Sequence, residues 1–106
     1  MHERDLQATC IDWYEGTFAG ALVLNVHGGG WTAKGFPDLV GCLDGRFWAV
    51  ELKVPGGRMS AAQRIWSKRI VAAGGSWACV DTFEGFRYFM EGVQHDAGIR
   101  RPFRPR

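Results

Sequence analysis

The sequence has no long apolar run. Its longest, Phe18 to Leu24, falls far short of the roughly 20 apolar residues that a membrane-spanning helix needs. The first residues include Glu3 and Asp5 and lack the basic-then-apolar order of a secretion signal. No membrane association and a cytoplasmic location are therefore expected. Cysteine is scarce: Cys10, Cys42 and Cys79 are odd in number and without C-x-x-C spacing, which argues against a zinc site or a disulfide framework. Set among apolar neighbours, all three are expected to act as small core residues. Internal repeats and long low-complexity segments are also missing. So is a nucleophile elbow. His27-Gly28-Gly29-Gly30-Trp31 matches an oxyanion element of lipases and esterases, but that chemistry needs G-x-S-x-G. Around Ser76 the order is Gly74-Gly75-Ser76-Trp77-Ala78, which lacks the second glycine.

What is present is one domain's worth of chain. At 106 residues, 46% hydrophobic and 23% charged, it has the balance of an ordinary globular protein with a core of its own. The net charge of +2 hides an asymmetry. Four of the 13 Lys and Arg are Arg100, Arg101, Arg104 and Arg106, and the rest of the chain carries more acid than base. Residues 1–97 are expected to form the domain, and 98–106 a basic Arg/Pro-rich tail, disordered when free. Contact with a polyanion must come from local patches or from that tail.

Taken in order, residues 3 to about 15 suit an amphipathic helix, since Leu6, Cys10, Trp13 and Tyr14 follow helical spacing. Glu3 falls on the same face, one turn earlier. Residues 21–26 suit a buried strand, and 27–34 a flexible loop. Two strands follow, joined at Asp44-Gly45, a turn dipeptide for a tight hairpin. Ser60 and Gln63 have the spacing of a capping box. The helix they start places Ala62, Trp66, Ile70 and Ala73 on one face and stops at Gly74-Gly75. Trp77 to Val80 suits a strand, and Thr82 opens a last helix with Phe86, Phe89 and Met90 as its apolar stripe. The strand–helix–strand unit from 47 to 80 implies a right-handed crossover and a parallel pair. The expected fold class is α/β, a small mixed β-sheet flanked by helices.

The chemistry concentrates in residues 35–53. Asp38 opens one strand of the hairpin, and Glu51 and Lys53 close the next, two residues apart and so on one face. The hairpin returns Asp38 beside them. Two carboxylates and an ammonium at one sheet end are costly to bury. A divalent cation offsets that cost: Mg²⁺ or Mn²⁺ takes one or two carboxylates, here Asp38 and Glu51, and keeps its other positions for water and phosphate oxygens. The backbone carbonyl of Leu52 is a further candidate ligand. Lys53 suits the holding of an attacking water or the offsetting of transition-state charge. The plainer alternative is an exposed edge hairpin with a weak Glu51–Lys53 surface pair.

Other residues are drawn in by position. On a helical wheel Gln63 lies beside Ile70, at the edge of the apolar stripe, where it can reach toward Glu51; its plainer reading is the capping box alone. Arg58, just after Gly56-Gly57, is the foremost candidate for a phosphate contact. Lys34, with the loop before it, is a candidate for contact with a polyanion backbone. Arg64 and Lys68 fall on the face of their helix away from Trp66 and are either phosphate contacts or a solvated surface.

These residues carry a resemblance. Gly35-Phe36-Pro37-Asp38-Leu39 followed by Val50-Glu51-Leu52-Lys53 resembles the PD-(D/E)xK nuclease superfamily. Pro55-Gly56-Gly57-Arg58-Met59-Ser60, then Gln63, Trp66 and Ala73-Gly74-Gly75, resemble its virus-type replication-repair nuclease branch, VRR-NUC. The match runs from about Glu3 to Phe89. It implies a restriction-endonuclease-like core and Mg²⁺- or Mn²⁺-dependent cleavage of phosphodiester bonds. For a stand-alone phage or bacterial domain it implies a homodimer acting on branched DNA, in the manner of a Holliday-junction resolvase. Asp38 and Glu51 match the metal ligands, and Lys53 the catalytic lysine. Glu3 matches the acidic residue of the first helix, and Gln63 the glutamine of the helix after the second strand. Aromatics of the first helix or of the Phe83–Phe89 stripe are candidates for the dimer interface. Flaps, nicks or ordinary duplex are alternative targets, and a non-catalytic DNA-binding domain of the same fold is the alternative role.

Overall fold

In the computed structural model the described residues are 2–26 and 33–100. Along them run α1 (Glu3–Thr17), β1 (Leu22–Asn25), β2 (Leu39–Leu43), β3 (Arg46–Leu52), α2 (Ala61–Ala72), β4 (Ser76–Val80) and α3 (Phe83–Arg100). The strands form one sheet in the order β1-β2-β3-β4. The first two pairings are antiparallel and β3–β4 is parallel, with α2 as the crossover. This is the mixed α/β sheet flanked by helices that the sequence implies.

Local chemistry accounts for the joints. Leu43 pairs with Arg46 across a two-residue turn, and both turn residues take positive φ, 50° at Asp44 and 84° at Gly45. A turn of that hand matches the twist of the two strands. Ser60 caps α2, accepting from Gln63 N while the Gln63 side chain accepts from Ser60 N. Thr82 Oγ1 accepts from Gly85 N at 3.0 Å and so caps the start of α3.

Helices α1 and α3 cover one face of the sheet. Leu6, Cys10 and Tyr14 from α1 and Phe86, Met90 and Val93 from α3 meet Leu39, Trp48, Val50 and Leu52. Trp48 is the centre of this core. Its indole lies against Gly41, where a Cβ would come within 2.5 Å of the ring. Its N–H donates to the Tyr14 hydroxyl at 2.9 Å, and that hydroxyl lies within reach of the Leu22 and Cys42 carbonyls at 3.1 and 3.3 Å. The buried donor is satisfied, and α1 is tied to both β1 and β2.

Several expectations change here. Residues 21–26 do not form a buried strand. β1 is a sheet edge with Leu22 and Leu24 well exposed, because strand alternation turns only Val23 toward the core. Cys10 is buried, but Cys42 and Cys79 are exposed, since the same alternation turns both away from the core under α1 and α3. The expected α2 stripe is thin, with Ile70 its one buried residue. Most aromatics considered for a dimer interface serve the core, while Tyr88, within the Phe83–Phe89 stretch, is exposed. Phe86 and Tyr14 are buried, and Trp13 packs edge-on against Phe18, Phe83 and Phe86. Helix α3 runs through Arg100, past the start expected for the basic tail. The glycine-rich segment 27–32 and residues 101–106 lie outside the described residues.

Candidate active site

The hairpin register builds the site. Leu39 pairs with Val50, and the same antiparallel register sets Asp38 across from Glu51. Both carboxylates are buried, at 8% and 4% exposure. Asp38 Oδ2 accepts from Leu52 N at 2.7 Å, and the Asp38 carbonyl accepts from Val26 N at 3.0 Å, so Asp38 is held from both sides. Glu51 Oε1 accepts from Gln63 Nε2 at 2.9 Å and stands 4.0 Å from Lys53 Nζ. Glu51 Oε2 is buried with no hydrogen-bond partner among the described residues.

Glu51 resists ionisation. Burial pushes the Glu51 carboxyl up to about 8, helped by the neighbouring Asp38 carboxylate; Lys53 pulls the other way and Glu3 adds to the rise. A buried carboxylate oxygen without a partner, on a residue set across from a second carboxylate, is a cation-seeking arrangement, and a divalent ion would offset the repulsion between the two. Among the described residues no three His, Cys, Asp or Glu side chains gather into a ready-made metal cage. Two carboxylates with open positions are nevertheless the usual protein share of a Mg²⁺ site.

Gln63 serves two masters. Its amide oxygen accepts from Ser60 N at 2.8 Å while its NH₂ donates to Glu51. The cap that starts α2 thus also aims the amide at the carboxylate. Gly35 makes this approach possible. It has φ +81°, and a Cβ there would fall 2.6–2.7 Å from Ala62 and Gln63 N, so only glycine lets the chain entering β2 run against the first turn of α2.

The remaining residues divide. Lys53, with its side chain 22% exposed, sits at the rim and lines a cavity with Glu3, Leu6, Pro55, Thr82 and Phe83. Glu3 is thus brought to the site's edge from the start of α1. Leu52 contributes its N–H, to Asp38. Lys34 is exposed, and its carbonyl accepts from Trp66 Nε1 at 3.1 Å. Arg58, Arg64 and Lys68 are exposed. Cys79, expected in the core, lies beside the site instead, paired in register with Glu51; burial and the Glu51 charge push its thiol up.

Comparison with known proteins agrees with this fold. A solved structure described as "VRR_NUC domain" superposes with a TM-score of 0.69 at 25% identity, covering 84% of this chain and 94% of that one. The chain has the fold of a VRR_NUC domain. At the family level the likeness is to the PD-(D/E)xK-like nuclease fold, and it supports a nuclease function. No protein-family model matches the chain, and no curated protein matches it. Among the described residues, no helix is long and apolar enough to cross a membrane.

Proposed function

We propose that this protein is a Mg²⁺- or Mn²⁺-dependent DNA endonuclease acting on branched DNA, with Asp38, Glu51 and Lys53 as its catalytic centre. The observation that carries the reading is the buried, unpartnered Glu51 Oε2 opposite Asp38. Asp38, Glu51 and the Leu52 carbonyl would hold the metal, whose charge lowers the pKa of an attacking water and offsets charge building on the phosphate. The chain's own residues do the positioning. The Leu52 N–H fixes the Asp38 carboxylate, and Gln63 fixes that of Glu51. Lys53, partly exposed at the rim and 4.0 Å from Glu51, would offer its ammonium to the attacking water or to the charge building on the phosphate. Glu3, at the cavity edge, is the acidic residue that the first helix would add to the site. Lys34, Arg58, Arg64 and Lys68 steer the DNA backbone toward the site.

Symmetric cutting of a four-way junction requires two such centres, and hence a two-fold homodimer. A panel of labelled junction, flap, nicked and duplex DNA with Mg²⁺ or Mn²⁺ tests the reading. Preferential cleavage of the junction is expected. Cleavage of none of these substrates overturns the catalytic reading, and equal cleavage of all overturns the preference for branches. Light scattering that finds a monomer with full junction-cutting activity overturns the dimer.

A further inference from the structure

Charge is divided between the two sides of the sheet. From Lys53 to Val80 the chain carries Lys53, Arg58, Arg64, Lys68 and Arg69 and no acidic residue. Helix α1, on the opposite face, carries Glu3, Asp5, Asp12 and Glu15 against Arg4 alone. A polyanion is therefore drawn to the α2 side.

That side also has an aromatic groove. Phe36, Phe47, Trp66, Arg69, Ile70 and Ala73 line a space of about 370 Å³. Trp66 is held in place, its N–H on the Lys34 carbonyl at 3.1 Å and its ring edge-on to Phe36 at 4.9 Å. The Arg69 guanidinium lies over the indole at 4.4 Å, and Arg69 as a residue is exposed. Phe47 is 42% exposed and rests against Gly75, where a Cβ would come within 2.9 Å of its ring. An apolar floor, a standing aromatic ring and a guanidinium plane already fixed by stacking are what an unstacked base needs. A base within a duplex has both faces occupied by its neighbours. An apolar protein partner would gain nothing from the surrounding cations.

We propose that this groove seats an unpaired base of single-stranded DNA, a few nucleotides from the phosphate cleaved at Asp38 and Glu51. The inference rests on the nuclease reading for its placement. Phe47 and Glu51 share one face of β3, about 13 Å apart at strand spacing, and α2 runs from Gln63 at the site to Ile70 at the groove. A strand leaving the catalytic centre along the Gln63–Ile70 side of α2 reaches Trp66 and Arg69. The recognised substrate class is then branched DNA whose branch point leaves a base unpaired beside the cut.

The test measures anisotropy of a labelled short oligothymidine and of a hairpin duplex in EDTA, with the full chain. Phe47→Leu keeps an apolar floor without a ring, and Arg69→Lys keeps the charge without a plane; melting curves check that both fold. Each is expected to lower the ratio of single-strand to duplex affinity about tenfold. An unchanged ratio in both variants overturns the proposal. So does a shift in oligomeric state with DNA binding intact, which would make the groove a contact between copies. The nuclease reading stands or falls separately, on Mg²⁺-dependent cleavage by the parent protein. If the parent cuts DNA and the ratio is unmoved, only the groove assignment is lost. If the parent cuts nothing and the ratio falls, only the catalysis is lost.

Discussion

Gln63 donates to Glu51 Oε1 at 2.9 Å and, with the other end of the same amide, accepts from Ser60 N at 2.8 Å. A helix cap and a carboxylate of the candidate site are thereby one structure. The two roles separate by substitution. Ser60→Ala removes the hydroxyl that accepts from Gln63 N and is expected to cost about 1 kcal/mol of stability, leaving cleavage near the parent rate. Gln63→Ala is expected to cost a similar amount of stability and also to slow cleavage by about 10–100-fold, the usual effect of losing a residue that orients a metal ligand. Denaturant melts beside single-turnover rates check both. Equal effects of the two variants on rate would reduce Gln63 to a cap.

Stability should depend on pH through Glu51. Its folded carboxyl stands at about 8 against an ordinary 4.5, with burial the leading cause and Asp38 next. A raised folded pKa means that the native state binds the proton more tightly than the unfolded chain. The contribution is therefore fully present below pH 4.5 and is lost as pH rises through about 8. Metal-free protein is expected to melt lower at pH 8 than at pH 5, with a loss of a few kcal/mol at most, since a tenfold difference in proton affinity is worth about 1.4 kcal/mol. Glu51→Gln should flatten that slope and raise the melting temperature at pH 8 in EDTA. Added Mn²⁺ should stabilise the parent and not the variant. A parent and variant with the same pH slope would remove Glu51 as the titrating group.

Much of the site is legible in the sequence, and the reasons are local. The Asp44-Gly45 turn sets the hairpin, and the hairpin sets Asp38 opposite Glu51. The Ser60–Gln63 spacing sets the start of α2 and hence the reach of Gln63. What local chemistry does not encode is which sheet face each helix covers. Leu22 and Leu24 look like core residues until β1 is known to be an edge. Cys79 looks like core until its register with Glu51 is known. The Arg69–Trp66 stack is hidden because Trp66 falls on an apolar stripe that α2 only half buries. The acid-free run from Lys53 to Val80 is the signal that points to it.

Gly35 offers a test of how tightly the two halves of the site are joined. Gly35→Ala meets backbone at 2.6 Å and a φ of +81°, whereas Gly56→Ala meets only an unfavourable φ of +86° and open space. The second is expected to cost about 1–2 kcal/mol. The first is expected to cost more, and to slow cleavage with it, because β2 and the first turn of α2 must move apart and carry Gln63 from Glu51. Urea melts of the two variants give the comparison. Equal losses would mean that the approach at Gly35 does not hold the site.

The most direct measurement is single-turnover cleavage of a labelled four-way junction by the parent, Asp38→Ala and Lys53→Ala, with Mg²⁺ and with EDTA. The parent is expected to cut in Mg²⁺ only. Both variants should lose at least about 10²-fold in rate, as expected for removal of a metal ligand or of a group stabilising transition-state charge. Cutting by the parent in EDTA, or cutting by Asp38→Ala and Lys53→Ala at the parent rate, would contradict the catalytic reading.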